Sequence, residues 1–168
     1  MTENNERIAI LPGSYEPMTR GHVALAARAA KLFDRVVIAV MQNSEKQYLF
    51  SLAQRLALAR VSVSHIPNCK VISDDGMLID LYRRLGASCV VKGIRNEVDY
   101  RYETVQAEWN HAHLPEFETV YLPSDDGLAW ISSTEVRKRL ASEETVESLL
   151  MPEAVCLMHS EAFRALEN

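Results

Sequence analysis

Ten residues near the N-terminus, Gly13-Ser14-Tyr15-Glu16-Pro17-Met18-Thr19-Arg20-Gly21-His22, carry more chemistry than a connecting loop requires. They follow an apolar run, Ile8 to Leu11, that reads as a buried strand ended by Pro12-Gly13, and they lead into apolar positions at helical spacing. Gly13 lets backbone approach a ligand closely, Ser14 offers a hydroxyl, Gly21 removes bulk at the helix start, and His22 stands in the first helical turn. A first turn has unpaired N–H groups and the positive end of the helix dipole, so it favours an anion such as phosphate. An imidazole beside it adds one more donor. On these residues alone, His22 reads equally as a residue capping its own helix.

The loop needs a scaffold, and hydrophobic periodicity supplies one. From His22 to Phe33 the positions Leu25, Ala29, Leu32 and Phe33 form a helical stripe with Arg28 and Lys31 off it. Val36 to Met41 is a continuous β-branched run, as parallel strands covered on both faces tend to be. Ser51 with Gln54 makes a capping box that opens a helix reaching about Val61, and Lys70 to Ser73 is a weak third strand. A helix over Leu78 to Leu85 ends at Gly86, which suits a left-handed cap; Ser88 to Lys92 is a fourth strand. Next come a helix over Val98 to His111 and a fifth strand, Glu118 to Leu122, closed by Pro123. Ser132 and Glu135 form a second capping box ahead of Val136 to Leu140, and Pro152 opens one last helix carrying Val155, Met158, Ala162 and Leu166. This alternation predicts an α/β protein: a single-domain, Rossmann-like, doubly wound five-stranded parallel sheet with flanking helices. The core spans about 7–140 and a C-terminal helical segment about 141–168. Right-handed crossovers then gather ligands beyond the carboxyl ends of the strands.

Composition limits what such a site can serve. The 168 residues carry 18 Lys and Arg against 23 Asp and Glu, a formal charge of −5, which argues against gripping a nucleic-acid backbone. Any anion site must be local. Cys69, Cys89 and Cys156 lie far apart with no ligand-like spacing, so neither a disulfide framework nor a metal site is expected and the compartment reads as reducing. The beginning MTENNERIAIL is polar and acidic, and the longest apolar run, Val36 to Met41, is too short to span a bilayer, so the expectation is a cytoplasmic protein without a membrane partner. His111 and His113 at a helix end, His65, His159, Arg83-Arg84 and the Asp125-Asp126 turn read as solvated surface, and Trp109 as core or interface.

Several stretches carry a family resemblance. GSYEPMTRGH resembles the T/H-x-G-H signature of the nucleotidyltransferase superfamily, and Ile131-Ser132-Ser133-Thr134-Glu135-Val136-Arg137 is similar to its I-S-S-T/S-x-x-R/K motif. Val91-Lys92-Gly93-Ile94-Arg95, followed by Asp99-Tyr100-Arg101-Tyr102-Glu103, resembles the [R/K]-G-[L/I]-R…D-[F/Y]-x-Y-E stretch of the bacterial phosphopantetheine adenylyltransferase family. Asn43-Ser44-Glu45-Lys46 with Phe50 and Arg55-Leu56-Ala57-Leu58-Ala59 looks like that family's lysine loop and helix. The likeness runs from Ile8 to about Leu150. Three places depart: Glu16 replaces the usual Asp, Arg20 an Asn or a small or apolar residue, and the triplet Leu128-Ala129-Trp130 before Ile131 carries its aromatic last where one usually leads.

The resemblance implies transfer of the adenylyl group of ATP to 4′-phosphopantetheine, giving dephospho-coenzyme A and pyrophosphate. It implies His22, Lys46 and Arg95 as catalytic groups, and Ser14, Lys46, Leu78 and Lys92 as contacts to phosphopantetheine. It implies an ATP site built from Ser14, Tyr15, His22, Gly93, Ile94, Arg95, Glu103 and the run Leu128, Ala129, Trp130, Ile131, Ser132, Ser133 and Thr134. Mg²⁺ would ride on the ATP phosphates without metal-ligating side chains. A homohexamer and coenzyme A as a feedback ligand are also implied. Within the superfamily, an adenylyltransferase for nicotinamide mononucleotide or a cytidylyltransferase is the rival, although such enzymes usually carry His where Thr19 stands; a nucleotide-binding sensor without turnover is the rival of another class.

Overall fold

The computed structural model describes residues 6–125 and 127–167; Asp126, half of the expected turn, lies outside them. Five strands, β1 (Ile8–Gly13), β2 (Arg35–Met41), β3 (Cys69–Asp74), β4 (Cys89–Ile94) and β5 (Thr119–Pro123), form one sheet in the order β3-β2-β1-β4-β5. Every neighbouring pair is parallel. Strands β1 and β2 and the first half of β4 are apolar without alternation because both faces of the sheet are covered there. Ala9, Leu11, Val36, Ile38, Val40, Cys89 and Val91 point into one core. Ile10, Ala39 and Val90, at the intervening positions, pack into a second core with Leu81, Tyr82, Leu114 and Phe117.

The helices are α1 (Arg20–Leu32), α2 (Leu52–Ser62), α3 (Leu78–Leu85), α4 (Glu97–His113), α5 (Ser133–Ala141), α6 (Pro152–Met158) and α7 (Glu161–Arg164). Gly86 has φ 58° and closes α3 in the left-handed region, as its type requires. Ser51 Oγ accepts from Gln54 N–H at 3.1 Å and Gln54 Oε1 accepts from Ser51 N–H at 3.0 Å, so the capping box on α2 is complete. On α5 only half of the box forms: Ser132 Oγ accepts from Glu135 N–H, while the Glu135 carboxylate turns to Arg139 at 3.0 Å.

Two local expectations are corrected. The buried face of α1 is Val23, Ala26 and Ala29, whereas Leu32 is 49% exposed, and Arg28 faces the carboxyl end of the sheet. The single last helix is broken into α6, α7 and a 3₁₀ turn over Ala165–Glu167. Ser160 causes the break, because its hydroxyl donates back to Leu157 O at 2.7 Å and accepts from Phe163 N–H at 3.1 Å. The break lets Phe163 pack edge-on against Phe50, with ring centroids 5.9 Å apart.

Sheet register opens the site. β1 pairs with β2 from Ile8 through Gly13, and β4 with β5 from Val90 through Ile94. Between β1 and β4, only Ala9–Cys89 and Ile10–Val90 are paired. The carboxyl halves of these central strands therefore part where the strand order reverses, and a cleft forms between them. Gly93 lets Leu25 of α1 into the gap: a Cβ at Gly93 would stand 3.1 Å from Leu25 Cδ2.

Candidate active site

The cleft is a cavity of about 380 Å³ walled by the β1–α1 loop, the ends of β4 and β5, the first turn of α5 and Lys46 from the β2–α2 loop. It brings together Ser14, Tyr15, His22, Lys46, Lys92, Gly93, Arg95, Glu103, Leu128, Ile131, Ser132, Ser133 and Thr134. Leu78, Ile94, Ala129 and Trp130 do not line it. Leu78 packs against the second core at the start of α3, and Trp130 is 54% exposed with the Arg139 guanidinium 5.8 Å from its ring centroid. A motif marks a run of residues, but only part of the run reaches the cleft: Gly93 and Arg95 line it while Ile94 between them does not, and the adjacent pair Ala129 and Trp130 stays outside.

His22 is held by the residue that caps its helix. The backbone N–H of Thr19 donates to His22 Nδ1 at 3.0 Å, and Thr19 Oγ1 lies 3.0 Å from the same nitrogen. An N–H can only donate, so Nδ1 is the acceptor and the ring proton sits on Nε2. Burial, with the Arg95 charge second, lowers the His22 pKa from its ordinary 6.5 to about 4. The cleft thus holds a neutral imidazole offering one N–H. The capping reading of His22 is realised on Nδ1, which leaves Nε2–H as the ring's one donor on the cleft side.

Tyr15 supports that ring without offering its hydroxyl. Its ring packs edge-on to His22 at 5.1 Å, and its Oη donates to Leu11 O at 2.8 Å. Tyr15 adopts φ 47°, and Gly13 makes room for it, since a Cβ there would meet the tyrosine ring at 3.2 Å. Gly13 therefore serves the aromatic brace as well as backbone approach.

Helix α5 is tied to the β1–α1 loop that leads into α1. Ser133 Oγ donates to Pro17 O at 2.8 Å, and Arg137 Nη1 donates to Glu16 O at 2.7 Å while its Nη2 reaches Thr134 Oγ1 at 3.2 Å. The starts of both helices, Gly21 and His22 on α1 and Ser133 and Thr134 on α5, therefore line one cavity, an arrangement suited to an anion.

Charge in the cleft is more balanced than the motifs suggest. Five cations, Arg28, Lys46, Lys92, Arg95 and Arg137, line it with four carboxylates, Glu16, Asp99, Glu103 and Asp125. Lys92 Nζ meets Glu103 Oε2 at 2.9 Å, Arg28 meets Asp125 at 2.8 Å, and Arg95 grips Asp99 through two nitrogens at 2.7 and 3.0 Å. That grip raises the Arg95 pKa and lowers the Asp99 pKa, in each case chiefly through the side-chain hydrogen bond. Among the described residues, Lys46 is the cavity's one cation outside the ion pairs.

Sequence reasoning missed two arginines. Arg28, read only as lying off the apolar stripe of the first helix, lines the cleft. Arg55, 1% exposed, donates to Ser14 O at 2.9 Å and Met41 O at 3.2 Å, with the Tyr48 ring centroid 4.0 Å from its guanidinium. It ties the ends of β1 and β2 together, and its burial lowers its pKa. The signal available was an arginine amid the apolar positions of α2.

A parallel sheet with an anion cleft at its reversal point and T-x-G-H at the first helix defines a nucleotidyl-transferring fold. The model of the Cytidylyltransferase-like family matches residues 10–139. A solved structure from Vibrio parahaemolyticus, assigned as a nicotinate-nucleotide adenylyltransferase, superposes with a TM-score of 0.70 over 94% of each chain at 16% identity, a likeness of fold. The phosphopantetheine adenylyltransferase of Shouchella clausii is 38% identical over 93% of this chain and 98% of its own. That of Herpetosiphon aurantiacus is 36% identical over 96% and 97%. The chain belongs to the phosphopantetheine adenylyltransferase family within the nucleotidyltransferases.

Proposed function

We propose that the protein reversibly transfers the adenylyl group of ATP to 4′-phosphopantetheine, forming dephospho-coenzyme A and pyrophosphate, a step of coenzyme A synthesis. One observation carries the reading: in a chain with these relatives, His22, Lys46, Lys92, Arg95 and two helix N-termini surround one cavity. A phosphate oxygen of phosphopantetheine forms a bond to the α-phosphorus of ATP, and the bond from that phosphorus to the bridging oxygen breaks. Pyrophosphate leaves with the electron pair. The nucleophile is already an anion, so no serine, cysteine or strong base is required. The protein supplies alignment of two repelling phosphates and donors where charge grows.

In this reading His22 Nε2–H donates to the α-phosphate, with Ser14 beside it. Lys46, outside the ion pairs, reaches both substrates, and Lys92 and Arg95 take the acceptor and ATP phosphates in competition with Glu103 and Asp99. Leu128 and Ile131 to Thr134 cradle ATP, and the pantetheine arm runs toward Leu78. Mg²⁺ enters as part of the substrate, on the ATP phosphates with water ligands retained.

Four finer readings accompany the activity. The protein acts in the cytoplasm, which suits three free thiols; among the described residues no helix is long and apolar enough to cross a membrane. Coenzyme A, which contains the product's scaffold, serves as a feedback ligand. The protein does not take nucleic acid as a partner. The assembly is a homohexamer, supported by α4, which buries no residue and exposes Val98, Tyr102, Val105 and Trp109 at spacings of four, three and four.

The decisive assay is pyrophosphate release with ATP and 4′-phosphopantetheine, against ATP with nicotinamide mononucleotide and CTP with phosphocholine. Turnover with the first pair is expected. Binding without turnover would instead establish the sensor reading, and turnover only with another pair a different transferase.

A further inference from the structure

We infer that Glu16 is a positioning residue that pins the Lys46 loop to the β1–α1 loop, an inference that rests on the role proposed above for Lys46. Glu16 is buried, and its Oε1 accepts from the backbone N–H of Phe50 at 3.2 Å and from that of Leu49. Its own carbonyl accepts from Arg137 Nη1, and its Oε2 stands 4.0 Å from that nitrogen. One residue thus touches the three segments that carry His22, Lys46 and the α5 N-terminus.

Residues 42–51 between β2 and α2 form neither helix nor strand. Inside the loop, Lys46 N–H donates to Asn43 O at 3.1 Å and Asn43 N–H to Tyr48 Oη at 3.0 Å, contacts that shape the loop without fixing it to the site. Downstream, Phe50 is buried in the core formed with Leu58, Ile131, Val136 and Phe163. The Glu16 carboxylate is the direct tie from the loop carrying His22 to the last residues before that anchor. Remove it, and the amide N–H groups of Leu49 and Phe50 lose their acceptor, a loss that burial makes costly at Phe50. A cation four residues upstream then loses its fixed starting point, and a displacement of about 1 Å in a phosphate-aligning group is enough to cost up to about 10²-fold in rate.

Among the described residues the side chain of the exposed Lys46 makes no hydrogen bond or ion pair that a merely stabilising role for Glu16 would act through, so the test is a double-mutant cycle on adenylyl transfer. Glu16→Ala should lower kcat/KM for 4′-phosphopantetheine at least about tenfold, while Glu16→Gln, which keeps an acceptor oxygen at the same reach, stays within about threefold. In a Lys46→Met background the Glu16→Ala effect should shrink below about twofold. An undiminished effect there overturns the proposal.

A readout independent of turnover is hydrogen exchange: Glu16→Ala should speed exchange at Leu49 and Phe50 by about tenfold or more and leave the β2 amides unchanged. Unchanged exchange at Leu49 and Phe50 refutes the tie itself, whatever Lys46 does. Wild-type turnover in Lys46→Met alone instead overturns the Lys46 reading, and with it this inference, while the exchange result stands. Should Glu16→Ala lose a cooperative melt, Glu16→Asp, which withdraws the carboxylate by one methylene, goes through the same cycle.

Discussion

His22 should remain neutral in the free protein across the working pH range, and the consequence is measurable in folding as well as in catalysis. Moving an imidazole pKa from 6.5 to about 4 corresponds to about 3 kcal/mol of preference for the neutral ring, at about 1.4 kcal/mol per pH unit. The unfolded chain binds this proton as pH falls through 6.5, and the folded chain does not until about pH 4. Stability is therefore unaffected by His22 above that window, falls as pH drops through it, and levels off below it. At pH 4.5 the deficit comes to about 2.5 kcal/mol. Urea denaturation of the protein and of His22→Gln at pH 7 and pH 4.5 isolates it, because carboxylate titrations are common to both chains. The wild type should lose about 2.5 kcal/mol more than the variant on acidification. Nitrogen-edited NMR should find the proton on Nε2 and a midpoint near 4. A midpoint near 6.5, a proton on Nδ1, or equal acid losses in the two chains would refute the reasoning. In turnover, His22→Ala should reduce kcat by about 10²–10³-fold, the scale of one transition-state donor.

Arg55→Met removes a buried charge and two hydrogen bonds to Ser14 O and Met41 O, and should cost about 3 kcal/mol or more in urea denaturation; a loss under about 1 kcal/mol would contradict its bracing role. Ser132→Ala leaves Glu135 N–H without its cap and should lower stability by about 1 kcal/mol, seen as a small drop in Tm, while raising KM for ATP. Val105→Glu places a charge in the exposed apolar stripe of α4; sedimentation should show a smaller assembly than the parent chain forms, and an unchanged assembly would move the interface elsewhere.

Local chemistry was legible without coordinates. Ser51 with Gln54, Gly86 after Leu85, and Thr19 before His22 act through contacts three or four residues apart, which sequence spacing already fixes. The continuous apolar strands likewise announced a sheet covered on both faces. Distant partners were not legible. Lys92 finding Glu103, Arg28 finding Asp125, Arg137 finding Glu16, and Glu16 reaching Leu49 and Phe50 all depend on strand order and register. Nothing in the spacing of residues from eleven to more than a hundred positions apart encodes those distances. The same holds for faces: Trp130 immediately precedes the Ile131–Thr134 stretch that lines the cleft yet turns outward, and Leu32 leaves the core while Arg28 enters the cleft. The sequence by itself determined that this chain would wrap helices around a parallel sheet and lead its first strand through a Gly-Ser loop into a helix carrying His22 in its first turn. Only the tertiary structure decided which cations meet there and which carboxylates hold them, because a side chain's partner is set by what packing brings within a few ångströms of it.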